Sequence, residues 1–320
     1  MTTLQRAERE ARRCPEPVTI NRREFEVVDT SSRPHKVEGN QSTGCNFPGV
    51  PNIDHTQTFV RKDIINWLIW LRESLKFQDF RFDFAKGYEA NFVKEYVKQS
   101  KPIFSVGEYW DSCSYSPASQ LDYNQDSHRQ RIINWIDKTG GLCAAFDFTT
   151  KGILQEAMKG ELWRLRDPQG KPPGVVGWWP SRAVTFIENH DSGSTQVHMS
   201  CLAINCVSMF SEGHWPFPSD HIMEGYAYIL THPGIPTVFY DHFYDWGKSI
   251  HDQIVKLMDV RRHEDIHSRS TIRILESHSN LYAAIIGEKV CIKIGDRSWC
   301  PTDGEWKLAT SGTRYAVWCR

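Results

Sequence analysis

Short apolar runs that alternate with helical patterns limit the possible fold more than any other feature of this sequence. In the clearest unit, the phenylalanines of Phe80–Phe84 alternate with Arg81 and Asp83 in the period-two pattern of a strand. A turn and a helical pattern over Tyr88–Gln99 follow directly. Because parallel strands need a crossover connection of this kind, the repeated unit predicts an α/β fold with a parallel sheet.

The same unit recurs along the middle of the chain. The other predicted strands are Ile103–Val106, Cys143–Phe148, Ala183–Ile187 and Thr237–Tyr240. The other predicted helices are one starting at Thr58, then Ser127–Asp137, Gly152–Lys159, His221–Thr231 and Ile250–Arg262. A complete barrel uses about 30 residues per strand–helix unit, so residues 1–57 cannot hold three more units. We therefore predict an incomplete (β/α)8 TIM-type barrel in which strands four to eight are recognisable.

The pattern changes near residue 266 and predicts a second domain. Short apolar runs joined by turn residues indicate an antiparallel sheet; they are Ile272–Leu275, Tyr282–Ile286, Val290–Ile294 and Tyr315–Trp318. We expect an irregular N-terminal segment over 1–42, a partial catalytic barrel over 43–265 and an antiparallel β domain over 266–320.

Composition excludes some partners and indicates a compartment. The net charge is −1 and the basic residues are spread along the chain, so neither nucleic acid nor a membrane is an expected partner. Nine scattered cysteines and a charged N-terminus without an apolar core favour free thiols and a cytoplasmic location. The plastid is the alternative compartment.

Three predicted strands are each followed closely by a carboxylate: Asp83, Glu108 and Asp191. The carboxyl ends of parallel strands meet at one rim, where barrel enzymes keep their chemistry. Glycoside cleavage with retention needs a carboxylate nucleophile and a carboxylic acid about 5–5.5 Å apart. Arg81 would keep Asp83 ionised, and the aromatic rings after Glu108 would favour a protonated acid. The alternative is a buried Arg81–Asp83 ion pair that only supports the strand end.

The segments around these acids resemble three ordered motifs of the α-amylase family of retaining glycoside hydrolases. The motifs are Arg81–Gly87, Gly107–Trp110 and Phe186–Asp191, and the run Trp215–His242 is similar to the plant members. The resemblance implies Asp83 as nucleophile, Glu108 as general acid/base and Asp191 as transition-state stabiliser. It also implies four residues that contact substrate: Arg81, Lys86, Trp110 and His190.

The resemblance further implies a calcium ion. Its ligands would include Asn52 and the carbonyl oxygens of Gly87 and Cys45, which are hard oxygen donors of the kind that calcium prefers. A position that is usually acidic in the family falls near Ser42. The alternative for Asn52 is ordinary hydrogen bonding within a loop.

The implied activity is endo-hydrolysis of α-1,4-glucosidic bonds with retention of configuration. Starch, glycogen-like glucans and malto-oligosaccharides are the implied substrates, and the protein would be a monomer. One alternative is a relative that acts on α-1,6 links. Another is a catalytically impaired or non-catalytic glucan-binding product of a truncated or mis-spliced gene.

Two departures from the family pattern support that last alternative. Nothing in residues 1–57 matches the first family motif. Residues 197–212 form an apparent 16-residue insertion that begins with Val and ends with Glu, whose codons can supply the GT and AG ends of an unspliced intron. The other interpretation is a genuine surface loop, although its apolar content suits exposure poorly. We predict that the chain as written aggregates or has little activity.

Overall fold

The computed structural model describes residues 40–46, 52–193 and 215–320, together with the backbone of 27–28. It divides into two compact units. The first comprises Met1–Trp110 and Trp135–Cys143, and the second comprises Asp111–Asn134 and Ala144–Arg320. The apparent insertion at 197–212 and the first 26 residues lie outside the described residues.

The first unit contains two short strand pairs and two long helices. Its elements are β1 (Val27–Val28), β2 (Asn52–Ile53), α1 (Thr58–Glu73), β3 (Asp79–Phe82), α2 (Ala90–Ser100) and β4 (Phe104–Gly107). β1 and β2 pair antiparallel, whereas β3 and β4 pair parallel, with Asp79 opposite Phe104 and Phe82 opposite Gly107. Among the residues that the structure describes, β3 lies at an edge of its sheet.

The second unit continues the alternation of strands and helices. Its elements are β5 (Ala144–Phe146), α4 (Phe148–Ala157), α5 (Val175–Trp178), β6 (Ala183–Thr185), α6 (Ile222–Thr231), β7 (Ile235–Pro236), α7 (Tyr240–Tyr244) and α8 (Lys248–His263). Helix α3 (Asp126–Lys138) precedes β5 in the chain. β6 pairs parallel with both β5 and β7, and all three of its residues are buried, as expected for an interior strand of a parallel sheet.

An antiparallel sheet ends the chain. Its strands are β8 (Ile272–Ser277), β9 (Tyr282–Ile286), β10 (Val290–Ile294), β11 (Lys307–Gly312) and β12 (Tyr315–Cys319). They are arranged in the order β11–β12–β10–β9–β8. One apolar core joins this sheet to the helices of the second unit, through side chains such as Leu154, Tyr226, Leu257, Ile286 and Ile292.

The predicted alternation is correct, but some boundaries are wrong. The predicted strand Thr237–Tyr240 is instead β7 at Ile235–Pro236, and Tyr240 already begins α7. Gly234, with a φ of 96°, turns the chain into the strand earlier than the apolar pattern indicates. The missing N–H of Pro236 then removes a donor from the ladder.

Side-chain caps and weak alternation explain two further differences. Helix α4 starts at Phe148 rather than Gly152, because the carboxylate of Asp147 accepts a hydrogen bond from the Thr150 N–H at 2.9 Å and so caps the helix. Strand β11 was not predicted, since Lys307–Gly312 contains few apolar residues. The short strand β1 lies within the segment predicted to be mostly irregular.

Two further observations concern the described residues. No helix among them is long and apolar enough to cross a membrane. The cysteines with free thiols are Cys45, Cys113, Cys143, Cys291, Cys300 and Cys319.

Candidate active site

The register of the first parallel pair brings two of the predicted acids together. Phe82 is the partner of Gly107, so Asp83 and Glu108 are the next residues beyond the ends of adjacent strands. The Glu108 N–H donates to the Phe82 carbonyl at 2.9 Å, and the Glu108 carbonyl accepts from the Ala85 N–H at 3.0 Å. These two hydrogen bonds hold the backbone of Glu108 against the turn that carries Asp83.

Arg81 connects the two carboxylates. Its Nη1 lies 2.8 Å from Oδ1 of Asp83, and its Nη2 lies 2.6 Å from Oε1 of Glu108. The second contact is close, but Oε1 is buried and has no hydrogen bond of normal geometry among the described residues. Oε2 of Glu108 accepts the Phe84 N–H at 3.2 Å. One guanidinium thus sets the positions of both acids.

The two acids have different environments. The side chain of Glu108 is 8% exposed, whereas that of Asp83 is 72% exposed. Burial raises the pKa of Glu108, and although Arg81 and the Phe84 N–H oppose this, the charge of Asp83 and a hydrogen bond with it add to the rise. The Arg81–Asp83 pair is therefore an exposed ion pair, not the buried one considered as the structural alternative. The arrangement suits a protonated acid beside a solvent-accessible carboxylate.

A strained turn follows Asp83, the predicted nucleophile. Phe84, directly after Asp83, has a φ of 41° in the left-handed region, which is costly for a residue with a side chain. The turn is tight, because a Cβ on Gly87 would lie 2.5 Å from the Phe84 ring. Only glycine fits at residue 87 without moving this ring.

Two further predicted substrate-contact residues of the first unit, Lys86 and Trp110, lie in the segments that follow β3 and β4. Lys86 is half-buried, and its carbonyl accepts the Cys45 N–H at 2.9 Å. Trp110 is also half-buried. The ring of neighbouring Tyr109 packs at 5.9 Å from the ring of Trp135, which gives the segment after Glu108 an aromatic support.

Two of the three predicted calcium ligands, Cys45 and Asn52, precede α1, and the oxygen atoms around them are of the kind that a hard cation prefers. Nδ2 of Asn52 is surrounded by three oxygen atoms: Oγ of Ser42 at 3.0 Å, Oδ1 of Asn46 at 3.2 Å and the carbonyl of Cys45 at 3.4 Å. An amide group has only two hydrogens, so it cannot satisfy all three acceptors. An Asn52 amide rotated by 180° would present its own oxygen to this cluster.

The remaining predicted ligand lies beside the same loop. A Cβ at Gly87 would be 3.6 Å from the Cys45 carbonyl, so these two residues are neighbours. Within the described residues, no group of three His, Cys, Asp or Glu side chains is placed to hold a metal ion. A cation here would depend on neutral oxygens.

The third predicted acid belongs to the second unit. Oδ2 of Asp191 lies 3.1 Å from Nε2 of His190, and both side chains are exposed. The side chain of Asn189 shapes this turn, because its Oδ1 accepts the N–H groups of Asp191 at 3.0 Å and Ser192 at 2.7 Å.

Sequence reasoning missed two charged residues beneath this turn. Lys151 is fully buried, and its Nζ lies 3.8 Å from Oε1 of Glu188, which is 2% exposed. Glu188 belongs to a motif singled out from the sequence but was not assigned a role. The available signal was a lysine between Phe148 and the apolar pair Ile153 and Leu154 in α4, where a buried lysine requires a partner.

The parallel strands and the carboxylates that follow them, one of which is buried and has a raised pKa, define the class: a βα protein with acidic side chains beyond its strand ends. Comparisons with known proteins agree with this class. Residues 263–319 match the model of the alpha-amylase C-terminal beta-sheet domain. A cyclomaltodextrin glucanotransferase structure superposes with a TM-score of 0.62 at 18% identity, covering 86% of this chain and 63% of that chain. This likeness and the C-terminal match confirm the predicted fold class.

Three curated plant proteins specify the family. The chain is 71% identical over 280 residues to "Probable alpha-amylase 2" of Arabidopsis thaliana, covering 88% of this chain and 64% of that protein. It is 52% identical to "Alpha-amylase 3, chloroplastic" of the same plant, covering 88% and 30%. It is 47% identical to "Alpha-amylase type B isozyme" of Hordeum vulgare, covering 52% and 98%. The chain belongs to the α-amylase family, and it spans less than two thirds of the length of the two Arabidopsis relatives.

Proposed function

We propose that this chain carries the chemistry of a retaining α-1,4-glucan hydrolase acting on starch and related glucans. The observation that carries the proposal is the Arg81-linked pair of Asp83 and Glu108, in which burial favours the protonated form of one acid while the other stays accessible. The relatives named α-amylases support the substrate class.

Each carboxyl group has one task in the proposed reaction. Glu108 donates its proton to the glycosidic oxygen while an Asp83 oxygen attacks the anomeric carbon, so the leaving sugar departs as an alcohol. The ionised Glu108 then takes a proton from water, which displaces Asp83 and releases the sugar with retained configuration. Asp191 and His190 would contact the sugar ring, and Lys86 and Trp110 would contact neighbouring glucosyl units.

The test is starch hydrolysis by purified protein carrying Asp83→Asn or Glu108→Gln. Each change should lower kcat by about three orders of magnitude or more, since each removes a reacting group. Asp63→Asn on the exposed face of α1 is the matched control and should leave kcat unchanged. Cleavage at the parent rate in Asp83→Asn would contradict the nucleophile assignment.

The same assay separates hydrolysis from glucan binding without cleavage. The position of β3 at the sheet edge among the described residues favours this second function for the chain as written. Retention on immobilised starch, with no reducing sugar released by the chain or by versions that contain further family sequence, would support it.

A structural calcium ion is part of the proposal. Asn52, Cys45 and Gly87 would hold it through oxygen atoms, and the ion would stabilise the loop beside the Asp83 turn without taking part in bond cleavage. We further propose a monomer in the cytoplasm. The plastid is the alternative, because one relative is named chloroplastic.

A further inference from the structure

Lys151 is a fully buried cation of the second unit whose role the proposed reaction leaves open. Its Nζ donates to Oε1 of Gln155 at 2.7 Å and to the carbonyl of Trp215 at 2.8 Å. It also lies 4.6 Å from the centre of the Trp215 ring. A buried ammonium group is tolerated only when charge and hydrogen bonds compensate it, and Glu188 supplies the opposite charge.

Glu188 joins two segments that are far apart in sequence. Its Oε1 accepts the Ser192 hydroxyl at 3.0 Å, and its Oε2 accepts the Phe217 N–H at 2.9 Å. The Trp215 N–H also donates to the Ser192 carbonyl at 3.2 Å. Residues 192 and 215 are therefore tied together, whatever the arrangement of the residues between them.

We propose that Lys151 and Glu188 form a clamp that positions the turn bearing His190 and Asp191 and makes that turn independent of residues 194–214. The clamp holds both ends of this segment: Glu188 binds Ser192 on one side and Phe217 on the other, while Lys151 binds Trp215. Lys151 and Glu188 are positioning residues, and their effect on catalysis rests on the proposed role of Asp191.

The electrostatics of the pair agree with this role. Burial lowers the pKa of Lys151 and raises that of Glu188, while the charge of each partner opposes the shift of the other. Removing one charge leaves the other buried without compensation, whereas removing both leaves the hydrogen bonds to Ser192 and Phe217 available to an uncharged side chain.

The test uses three variants: Lys151→Met, Glu188→Gln and the double variant that combines them. The control is Lys159→Met, which removes an exposed lysine paired with Glu156. Hydrogen–deuterium exchange is followed in the peptides around 186–193 and 215–218, with β9 as the internal reference. Lys151→Met should accelerate exchange at the Trp215 and Phe217 amides about tenfold or more without affecting β9. The double variant should restore part of the protection, and Lys159→Met should change nothing. If Lys151→Met fails to fold, the comparison of Glu188→Gln with the double variant decides the question.

Deletion of residues 197–212 provides the second arm. In the parent background the deletion should leave exchange in 186–193 and 215–218 unchanged, because the clamp lies outside the deleted part. A deletion that alters this exchange as much as Lys151→Met would overturn the proposal, as would acceleration spread evenly over β9. In a version that cleaves starch, Lys151→Met should lower kcat about tenfold or more with little change in KM. Altered exchange with unchanged kcat would leave the clamp standing and count against Asp191 instead.

Discussion

The turns after β3 and β6 both present a carboxylate beyond a parallel strand, but they are supported in different ways. β3 is an edge strand with an exposed Arg81, and this one guanidinium orients the exposed Asp83. β6 is buried along its whole length, and a buried ion pair lies beneath the turn that carries Asp191. The first turn thus depends on a solvent-accessible charge, and the second depends on packing. We expect the turn after β3 to be more sensitive than the turn after β6 to the presence of a neighbouring segment and to solvent.

The largest expected effect comes from giving β3 a neighbour. Among the described residues β3 has a neighbour on one side only, and an unpaired strand edge invites association with other chains, so the chain as written should aggregate and cleave starch poorly. Deleting 197–212 should improve solubility only. Adding, in the same polypeptide, the part of the Arabidopsis relative that precedes the matched region should produce a soluble, starch-cleaving protein. Size-exclusion chromatography and a reducing-sugar assay on the three versions decide this.

A soluble, monomeric and active product from the chain as written would show that the β3 turn needs no further support. The two turns would then not differ in the support that catalysis requires.

The next effect tests the dependence of the first turn on Arg81. In an active version, Arg81→Met should lower kcat about 100-fold or more, because both carboxylates lose their common partner. Arg81 lowers the pKa of Glu108, so its removal should raise that pKa further. Since Glu108 acts protonated in the first step, the alkaline limb of the pH–rate profile should move to higher pH. Arg72→Met, which contacts neither carboxylate, is the control, and a limb that stays in place would contradict the proposed role.

Acid should lower the stability of both units through their buried histidines, one in the first unit and two in the second. Burial lowers the pKa of His55 in the first unit and of His242 in the second to about 4, and that of His232 in the second to about 3. Each folded-state pKa lies below the unfolded value near 6.5. The contribution of each histidine to the free energy of unfolding is therefore fully present above that pH, and it is lost as the pH falls toward the folded-state pKa. Between pH 7 and pH 5 each histidine should cost about 2 kcal/mol.

Chemical denaturation at the two pH values measures this loss. His242→Gln should reduce the loss by about 2 kcal/mol, because the group that must take up a proton on unfolding is gone. His263→Gln, at an exposed position, should not reduce it. An equal loss in the parent and in His242→Gln would rule out His242 as the acid-sensitive group.

The smallest expected effect is that of calcium on the chain as written. The oxygen cluster around Asn52 contains no carboxylate, so binding should be weak and the melting temperature should rise by about one degree or less. In the version with added upstream sequence, the rise should be larger, and Asn52→Ala should remove it. A shift of many degrees in the chain as written would show that neutral oxygens suffice.

The sequence by itself determined the alternation of strands and helices and placed Asp83 and Glu108 at the ends of adjacent strands. These features are local: a period of two ending in a carboxylate can be recognised within a few residues, and parallel pairing then places strand ends side by side. Local patterns failed where a turn or a cap set the boundary. Gly234 moved β7 toward the N-terminus, and Asp147 moved the start of α4 in the same direction.

Only the tertiary structure decided how the acids are held. Arg81 reaches both Asp83 and Glu108 because parallel pairing brings the ends of two neighbouring strands within one side-chain length. Lys151 and Glu188 are far apart in sequence and become partners only through burial. The local sequence around a lysine does not reveal whether its side chain faces water or the core. Its partner and its charge cost depend on desolvation, which is a property of the packed chain and not of any local segment.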